Sequence, residues 1–331
     1  MKEKLSGSQH RLSIGLPVFN GENYLREALD SILAQTYTDF ELIISDNAST
    51  DRTKNICYTY AAVDNRIRYY RNDRNVGAPM NYNLTFILSR GEYFKWASHD
   101  DLLAPEYLLR CVSVLDEDPS IVLCHSRTAR INERGAMVGN YDHKMRIDSQ
   151  KMNERFRDLI SIQHNPCWPI FGVIRSDILK RTPLHGNYPG ADGNLLAEIA
   201  LYGRIFEIPE YLFFRRDHPQ AYTQKYVHTN HVNYREQMAW WGSASLIDIT
   251  TLRNLSEFLR SVRRVPLKWS DRLVCYEQIF DWFTKEGWRL IGADLENYFL
   301  CRSSFGRKFA STVQTILRRT IIPIIEKGEI L

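Results

Sequence analysis

Tyr93-Phe94-Lys95-Trp96-Ala97-Ser98-His99-Asp100-Asp101-Leu102-Leu103-Ala104-Pro105-Glu106-Tyr107-Leu108 is the stretch from which the fold of this chain is read. A β-prone run of aromatics stops at His99, Asp100 and Asp101, and Pro105 then opens a helical segment. The two carboxylates therefore sit where a strand ends. In an open α/β sheet, ligands collect outside the carboxyl ends of the strands. Adjacent acids there form a hard, oxygen-rich site suited to Mg²⁺ or Mn²⁺, with Asp100 and Asp101 as its ligands. A solvated turn that caps the next helix is the plainer reading of the same residues, and the flanking chain has to decide between the two.

Upstream, strands and helices alternate. Leu12 to Phe19 reads as a first strand, with Pro17 near its end, where a ladder N–H can be spared. Asn20-Gly21 makes a turn, and Glu22 to Gln35 carries Leu25, Leu29, Ile32 and Leu33 at helical spacing. Phe40 to Ser45 is a second apolar strand, followed by Asp46-Asn47-Ala48-Ser49-Thr50-Asp51 and a helix from Arg52 to about Ala62. Ile67 to Arg71 gives a third strand, Asn72 to Ala78 a polar loop with Gly77, and Met80 to Ser89 a helix closed by Arg90-Gly91. Such alternation argues for parallel β-α-β units with right-handed crossovers. The strand exits at Asn20, Asp46 and Ser98 then fall along one edge of the sheet.

The 331 residues are 44% apolar and 12% aromatic, ample for a large core, and the net charge of +4 does not call for nucleic acid. Six scattered cysteines with no C-x-x-C pair read as reduced thiols. The first ten residues lack an apolar signal core and read as disordered, and no window is apolar for long enough to span a bilayer. The expectation is a cytoplasmic protein.

Pro17-Val18-Phe19-Asn20-Gly21-Glu22, Asp46 to Asp51, Asn75-x-Gly77, Gly91-Glu92-Tyr93 and Asp100-Asp101 before Pro105-Glu106-Tyr107-Leu108 resemble the ordered motifs of the family 2 glycosyltransferases. The resemblance covers about residues 11 to 220. It implies a GT-A fold, an α/β architecture with a nucleotide-binding, mixed but mainly parallel sheet flanked by helices. It also implies a nucleotide-diphosphate sugar as donor and a glycan or lipid-linked acceptor, with inversion and a divalent cation. By that resemblance Pro17, Phe19 and Glu22, with Asp46 and Asn47, hold the nucleoside, and Asp46 accepts from the base imide. Asp100 matches the metal-binding acid of the family's Asp-x-Asp element, whose first acid is Ser98 here. Either Asp101 or His99 supports the ion, or the donor diphosphate supplies most of its ligands, and His218 resembles a diphosphate or metal contact. Asn81, Tyr82 and Asn83 stand where the family often has an arginine, so a phosphate contact is either missing or comes from Arg71 or Arg74.

Downstream, Ile121 to Ser126 reads as another buried strand and His143 to Gln163 as a polar excursion above the site. Trp168, Phe171 and Gly172 lie on a proline-fixed loop, where the two rings either stack on a sugar or belong to the core. Pro189-Gly190-Ala191-Asp192-Gly193 resembles the family's acceptor-side pair of acids with Ala191 in place of the first, which leaves Asp192 as general base. An N-cap for the helix from Asn194 is its structural alternative. The chain then divides into a GT-A unit over 11–228 and a helical region over 229–331, packed on the catalytic unit or on a second subunit. Residues 302–331 form a basic amphipathic tail that either touches the inner face of a membrane or packs as a terminal helix. Outside catalysis, a low-turnover module that binds nucleotide sugars as a sensor or partner subunit fits the same motifs, because Ser98 and Ala191 replace two acids.

Overall fold

The structure is a computed structural model that describes residues 10–141, 145–161, 167–222, 224–225, 234–242 and 249–300. The first half winds as β1 (Leu12–Val18), α1 (Leu25–Leu33), β2 (Phe40–Asp46), α2 (Thr53–Val63), β3 (Ile67–Arg71), α3 (Ala78–Ile87) and β4 (Tyr93–Trp96). β1, β2 and β4 are buried along their whole length, as strands covered by helices on both faces must be. β1 lies between β2 and β4, parallel to both, and β3 extends the parallel set beyond β2. The register pairs Val18 with Asp46 and Gly15 with Trp96. The loops after β1, β2 and β4 therefore leave one edge side by side, as the alternation predicted.

The chain continues through the short β5 (Leu102–Leu103), α4 (Tyr107–Glu117), β6 (Ile121–Ile131), β7 (Met137–Tyr141), α5 (Met152–Ile160), a 3-10 turn over Trp168–Phe171, β8 (Val173–Arg175), α6 (Ser176–Leu179), α7 (Ala191–Tyr202) and β9 (Arg204–Arg216). The sheet order is β3-β2-β1-β4-β8-β6-β9-β5, with β7 paired to β6. β8 is antiparallel to β4 and to β6, whereas β6 and β9 run parallel. The sheet is thus mixed and mainly parallel.

Three expectations need correction. The strand from Ile121 runs to Ile131 and turns back as β7, because β9 pairs with it over that length. The segment from His143 to Gln163 is not a polar excursion where it is described, since Phe156, Leu159 and Ile160 of α5 are core residues; residues 143–144 and 162–163 lie outside the described residues. α7 starts at Ala191 rather than Asn194, because Gly190 takes a left-handed turn with φ 83 immediately before it.

The C-terminal helices are α8 (Tyr234–Trp240), α9 (Thr250–Arg264), α10 (Trp269–Trp282) and, after a π-turn, α11 (Trp288–Leu300). Phe258, Val262, Cys275, Ile279 and Trp282 belong to the same apolar cluster as Phe94, Trp96, Leu195 and Leu196. The helical region therefore shares the core of the sheet domain. Buried Glu198 of α7 adds a polar tie, taking Ser261 Oγ at 2.7 Å and the guanidinium of Arg264 on α9. No described helix is long and apolar enough to cross a membrane. The expectations for residues 1–9 and 302–331 fall outside the described residues.

Candidate active site

The loops after β1 and β2 are stitched to each other. Asn20 N–H donates to Ser49 Oγ, Gly21 N–H to Thr53 Oγ1, Glu22 N–H to Asp51 and Thr50 N–H to Asn20 Oδ1, all within 3.0 Å. Asn20 and Ala48 adopt left-handed backbone conformations, φ 52 and 61. Such strain at a non-glycine residue persists only where surrounding bonds dictate it. Glu22 pairs with Arg52 at 3.0 Å. Buried Asn47 takes Val76 N–H at 2.9 Å and gives its amide to Asn75 at 2.8 Å, fixing the loop before α3. Pro17, Phe19, Glu22 and Asn47 all line one cavity of about 1590 Å³.

Asp46 departs from its expected place. It is fully buried and is not among the residues that line that cavity. Its Oδ1 takes Ser49 N–H at 2.8 Å, and its Oδ2 takes Tyr69 Oη at 2.8 Å and Arg71 Nη1 at 2.6 Å. The cause is register, since β3 sets Arg71 directly opposite Asp46. Arg71 is therefore an anchor for Asp46. Arg74 is not among the cavity-lining residues.

Past the end of β4, Ser98, His99, Asp100 and Asp101 line the same cavity. His218 Nε2 lies 2.8 Å from Asp100 Oδ2, and Ser98 Oγ donates to Asp100 Oδ1. Burial works to raise the Asp100 carboxyl, but His99 and the bonds from His218 and Ser98 outweigh it and hold the group well below the usual carboxylate range. Asp101 is pushed the other way, by burial first and by the Asp100 charge second. Its Oδ1 takes the Arg216 N–H at 2.9 Å. Among the described residues no group of three or more His, Cys, Asp and Glu is arranged to hold a metal ion. The donors present, one ionised carboxylate with an imidazole on it, fit a cation that takes further ligands from a bound diphosphate.

Asp192, in the first turn of α7, lines the same cavity. It is not the helix cap, since that position is Gly190. Its Oδ1 accepts the Gly193 N–H at 3.0 Å. Burial pushes its carboxyl up against the opposing pull of the Gly193 N–H and the Cys167 thiol, which makes it a stronger base than a solvated aspartate. Trp168 and Phe171 also line the cavity. Trp168 meets Tyr141 at 3.9 Å between ring centroids, and Phe171 stacks on Phe213 at 5.8 Å. Gly172 does not line it. A Cβ there would stand 2.6 Å from the Cys124 carbonyl, so the glycine permits β8 to approach β6.

Residues 13–181, just over half of the chain, match the family described as glycosyl transferase family 2. The chain belongs to that family. It is 40% identical over 116 residues to an uncharacterized glycosyltransferase of Rickettsia typhi, a match covering 34% of this chain and 35% of that protein. An uncharacterized glycosyltransferase of Haemophilus influenzae is 25% identical over 254 residues, 74% of this chain and 78% of that one. The alignments thus span about a third or less of the length of the five Rickettsia relatives. Among solved structures, Staphylococcus aureus TarS 1-349 in complex with UDP is similar with a TM-score of 0.60 at 16% identity, over 96% of this chain and 92% of that one. The mannosyltransferase PcManGT from Pyrobaculum calidifontis, in complex with GDP-Man and Mn²⁺, gives 0.52 at 14% identity, over 95% and 82%. These likenesses establish the GT-A fold.

Sequence reasoning missed several residues of the site. Arg216, at the end of β9, is fully buried, donates from Nε to the Asp100 carbonyl at 2.9 Å and pairs with Glu27 at 2.7 Å. Its guanidinium also lies over Tyr24 at 4.7 Å, and that ring meets His218 at 4.8 Å. Buried Lys95 in β4 donates to the Phe171 carbonyl and so ties the 3-10 turn to the strand that carries the acids. Tyr222, Trp240 and Trp241 also line the cavity, with Tyr222 Oη taking Trp241 Nε1 at 2.7 Å and Gln237 Nε2 at 2.9 Å. The only local signals for these were the charge cluster Arg215-Arg216-Asp217-His218 and the Trp240-Trp241 pair.

Proposed function

We propose that this family 2 chain is an inverting glycosyltransferase that moves one sugar from a nucleotide-diphosphate donor to a hydroxyl of a glycan or lipid-linked acceptor, in the synthesis of a polysaccharide or cell-surface glycan. One observation carries the reading: the Asp100–His218 pair and the perturbed Asp192 line a single cavity with the Pro17, Phe19, Glu22 and Asn47 loops. At about 1590 Å³ it exceeds the roughly 300–1,000 Å³ of an ordinary ligand pocket, leaving room for a donor and an acceptor together.

The nucleoside lies over the loops after β1 and β2. A base that reaches Asp46 has to take over the bond now made by Arg71. The diphosphate then falls at Ser98 to Asp101. A divalent cation, Mg²⁺ or Mn²⁺, would be held there by Asp100 with Asp101 and His218, and when bound it offsets charge growing on the leaving diphosphate. Asp192 takes the proton from the acceptor hydroxyl as its oxygen bonds to the anomeric carbon. The bond to the diphosphate breaks in the same displacement, and the leaving group departs with the electron pair. A single base opposite the leaving group and no protein nucleophile give inversion. Trp168, Phe171, Tyr222 and Trp240 supply ring faces for the sugar and acceptor. Transfer by Asp192→Asn tests the reading: activity is lost while nucleotide binding stays. An active Asp192→Asn chain removes the base assignment.

A further inference from the structure

α10 is apolar on two sides. Cys275, Ile279 and Trp282 are buried on one, where Cys275 Sγ meets Met152 Sδ of α5 at 3.7 Å and Gln278 Nε2 donates to the Asn153 carbonyl at 2.9 Å. On the opposite side Trp269, Leu273 and Phe280 lie at i, i+4 and i+11, exposed by 67%, 45% and 60%. A surface helix normally turns one apolar stripe to the core and polar residues to water; a helix apolar on both sides meets a second apolar phase.

The chain leading into α10 supplies the matching charge. From Phe258 to Ser270 there are four cations, Arg260, Arg263, Arg264 and Lys268, and no acid. Arg260 is paired to Glu257 and Arg264 to buried Glu198. Arg263 and Lys268 are exposed and make no ion pair among the described residues. Two acids flank the stripe, Glu277 and Asp281, and Asp281 is already paired to Lys285 at 2.7 Å. An exposed tryptophan beside uncompensated cations, continued by an apolar stripe, is what a helix needs to lie in a bilayer interface. The cations meet headgroup phosphates, the indole sits at headgroup level and the leucine and phenylalanine reach the acyl boundary.

We propose that the α9–α10 corner and the outer face of α10 dock on an anionic lipid surface, with α10 lying in its plane. The surface shares no residue with the segment 302–331 or with the lining of the cavity. Its test therefore reads vesicle recovery without donor, and its outcome does not depend on the glycosyl-transfer reading.

The full chain is floated with phosphatidylcholine vesicles, with and without phosphatidylglycerol. The wild-type chain is expected to float with the anionic vesicles, and added salt to weaken it. At about fivefold in partition per cation, Arg263→Glu with Lys268→Glu lowers recovery at least tenfold. Trp269→Ser with Phe280→Ser lowers it comparably, and Phe309→Asp with Ile316→Asp leaves it near wild type. Circular dichroism and melting establish that each variant is folded, as changes at exposed positions should allow. Three results overturn the proposal: wild-type chain that stays unbound to anionic vesicles, corner and stripe variants that float like wild type, or a stripe variant that merely turns a sedimenting dimer into a monomer.

Discussion

Replacing Arg216 by lysine keeps the charge and removes the fork, which makes it a sharp test of how the acidic turn is held. The guanidinium donates from Nε to the Asp100 carbonyl at 2.9 Å, from Nη1 to the Glu133 carbonyl at 3.1 Å and from Nη2 to Glu27 at 2.7 Å. These acceptors belong to three different segments. A lysine Nζ reaches one of the three directions and leaves the others unmet. The Glu27 pair counts for little, because that carboxylate is half exposed. The Asp100 carbonyl, on a partly buried residue, costs about 1–3 kcal/mol when stripped of its donor, and the Glu133 carbonyl, on an exposed residue that water can reach, costs less, so Arg216→Lys should lose about 1–3 kcal/mol in urea unfolding. Because the Asp100 carbonyl is one of the released groups, kcat/KM should also fall about tenfold, equivalent to about 1.4 kcal/mol. A variant within about 0.5 kcal/mol of wild type, with unchanged activity, refutes the idea that Arg216 positions the Asp100–Asp101 turn.

Three further outcomes follow from named geometry. Asp192→Asn should lower kcat by about 10²–10⁴ while the donor Kd, read by calorimetry, stays put. His125 and His185 are buried and held neutral, with burial pushing both down to about 4. The unfolded chain takes up those protons first as pH falls below about 6.5, so stability is full above 6.5 and is lost between 6.5 and 4, by about 3 kcal/mol per histidine. His125→Leu should remove about half of that slope in urea melts at pH 7.5 and 5; an unchanged slope discards the assignment. Gly77 has φ +84, and a Cβ there would stand 3.0 Å from Gly242 Cα, so Gly77→Ala should cost about 1–3 kcal/mol and weaken nucleotide affinity. Gly135 has φ +78 with nothing within 4 Å, so Gly135→Ala should melt closer to wild type.

The parallel half of the sheet was legible because β1, β2 and β4 are mostly apolar runs that each end in a polar turn, and their alternation with helices puts Asn20, Asp46 and Ser98 on one edge. What could not be read is set by register and by distant partners. Asp46 looks like an open carboxylate until β3 brings Tyr69 and Arg71 against it. Gly172 looks like a loop glycine until β6 passes beneath it. Arg216 sits in a run of charges that resembles a solvated turn, yet its side chain closes on Glu27, far away in sequence. The amphipathic α5 is hidden by the polar residues around it, and only its packing against α7 and α10 reveals its apolar side.

The central claim, that Asp100 and its neighbours serve a nucleotide-diphosphate sugar in this cavity, is tested most directly by thermal-shift titration of the chain with UDP-, GDP- and dTDP-sugars, with and without Mn²⁺. A ligand bound only by the folded chain raises the midpoint by mass action. At least one donor should raise it, more strongly with Mn²⁺, and Asp100→Asn should erase the metal-dependent part alone. No shift with any donor, or the same metal response in Asp100→Asn, would contradict the claim.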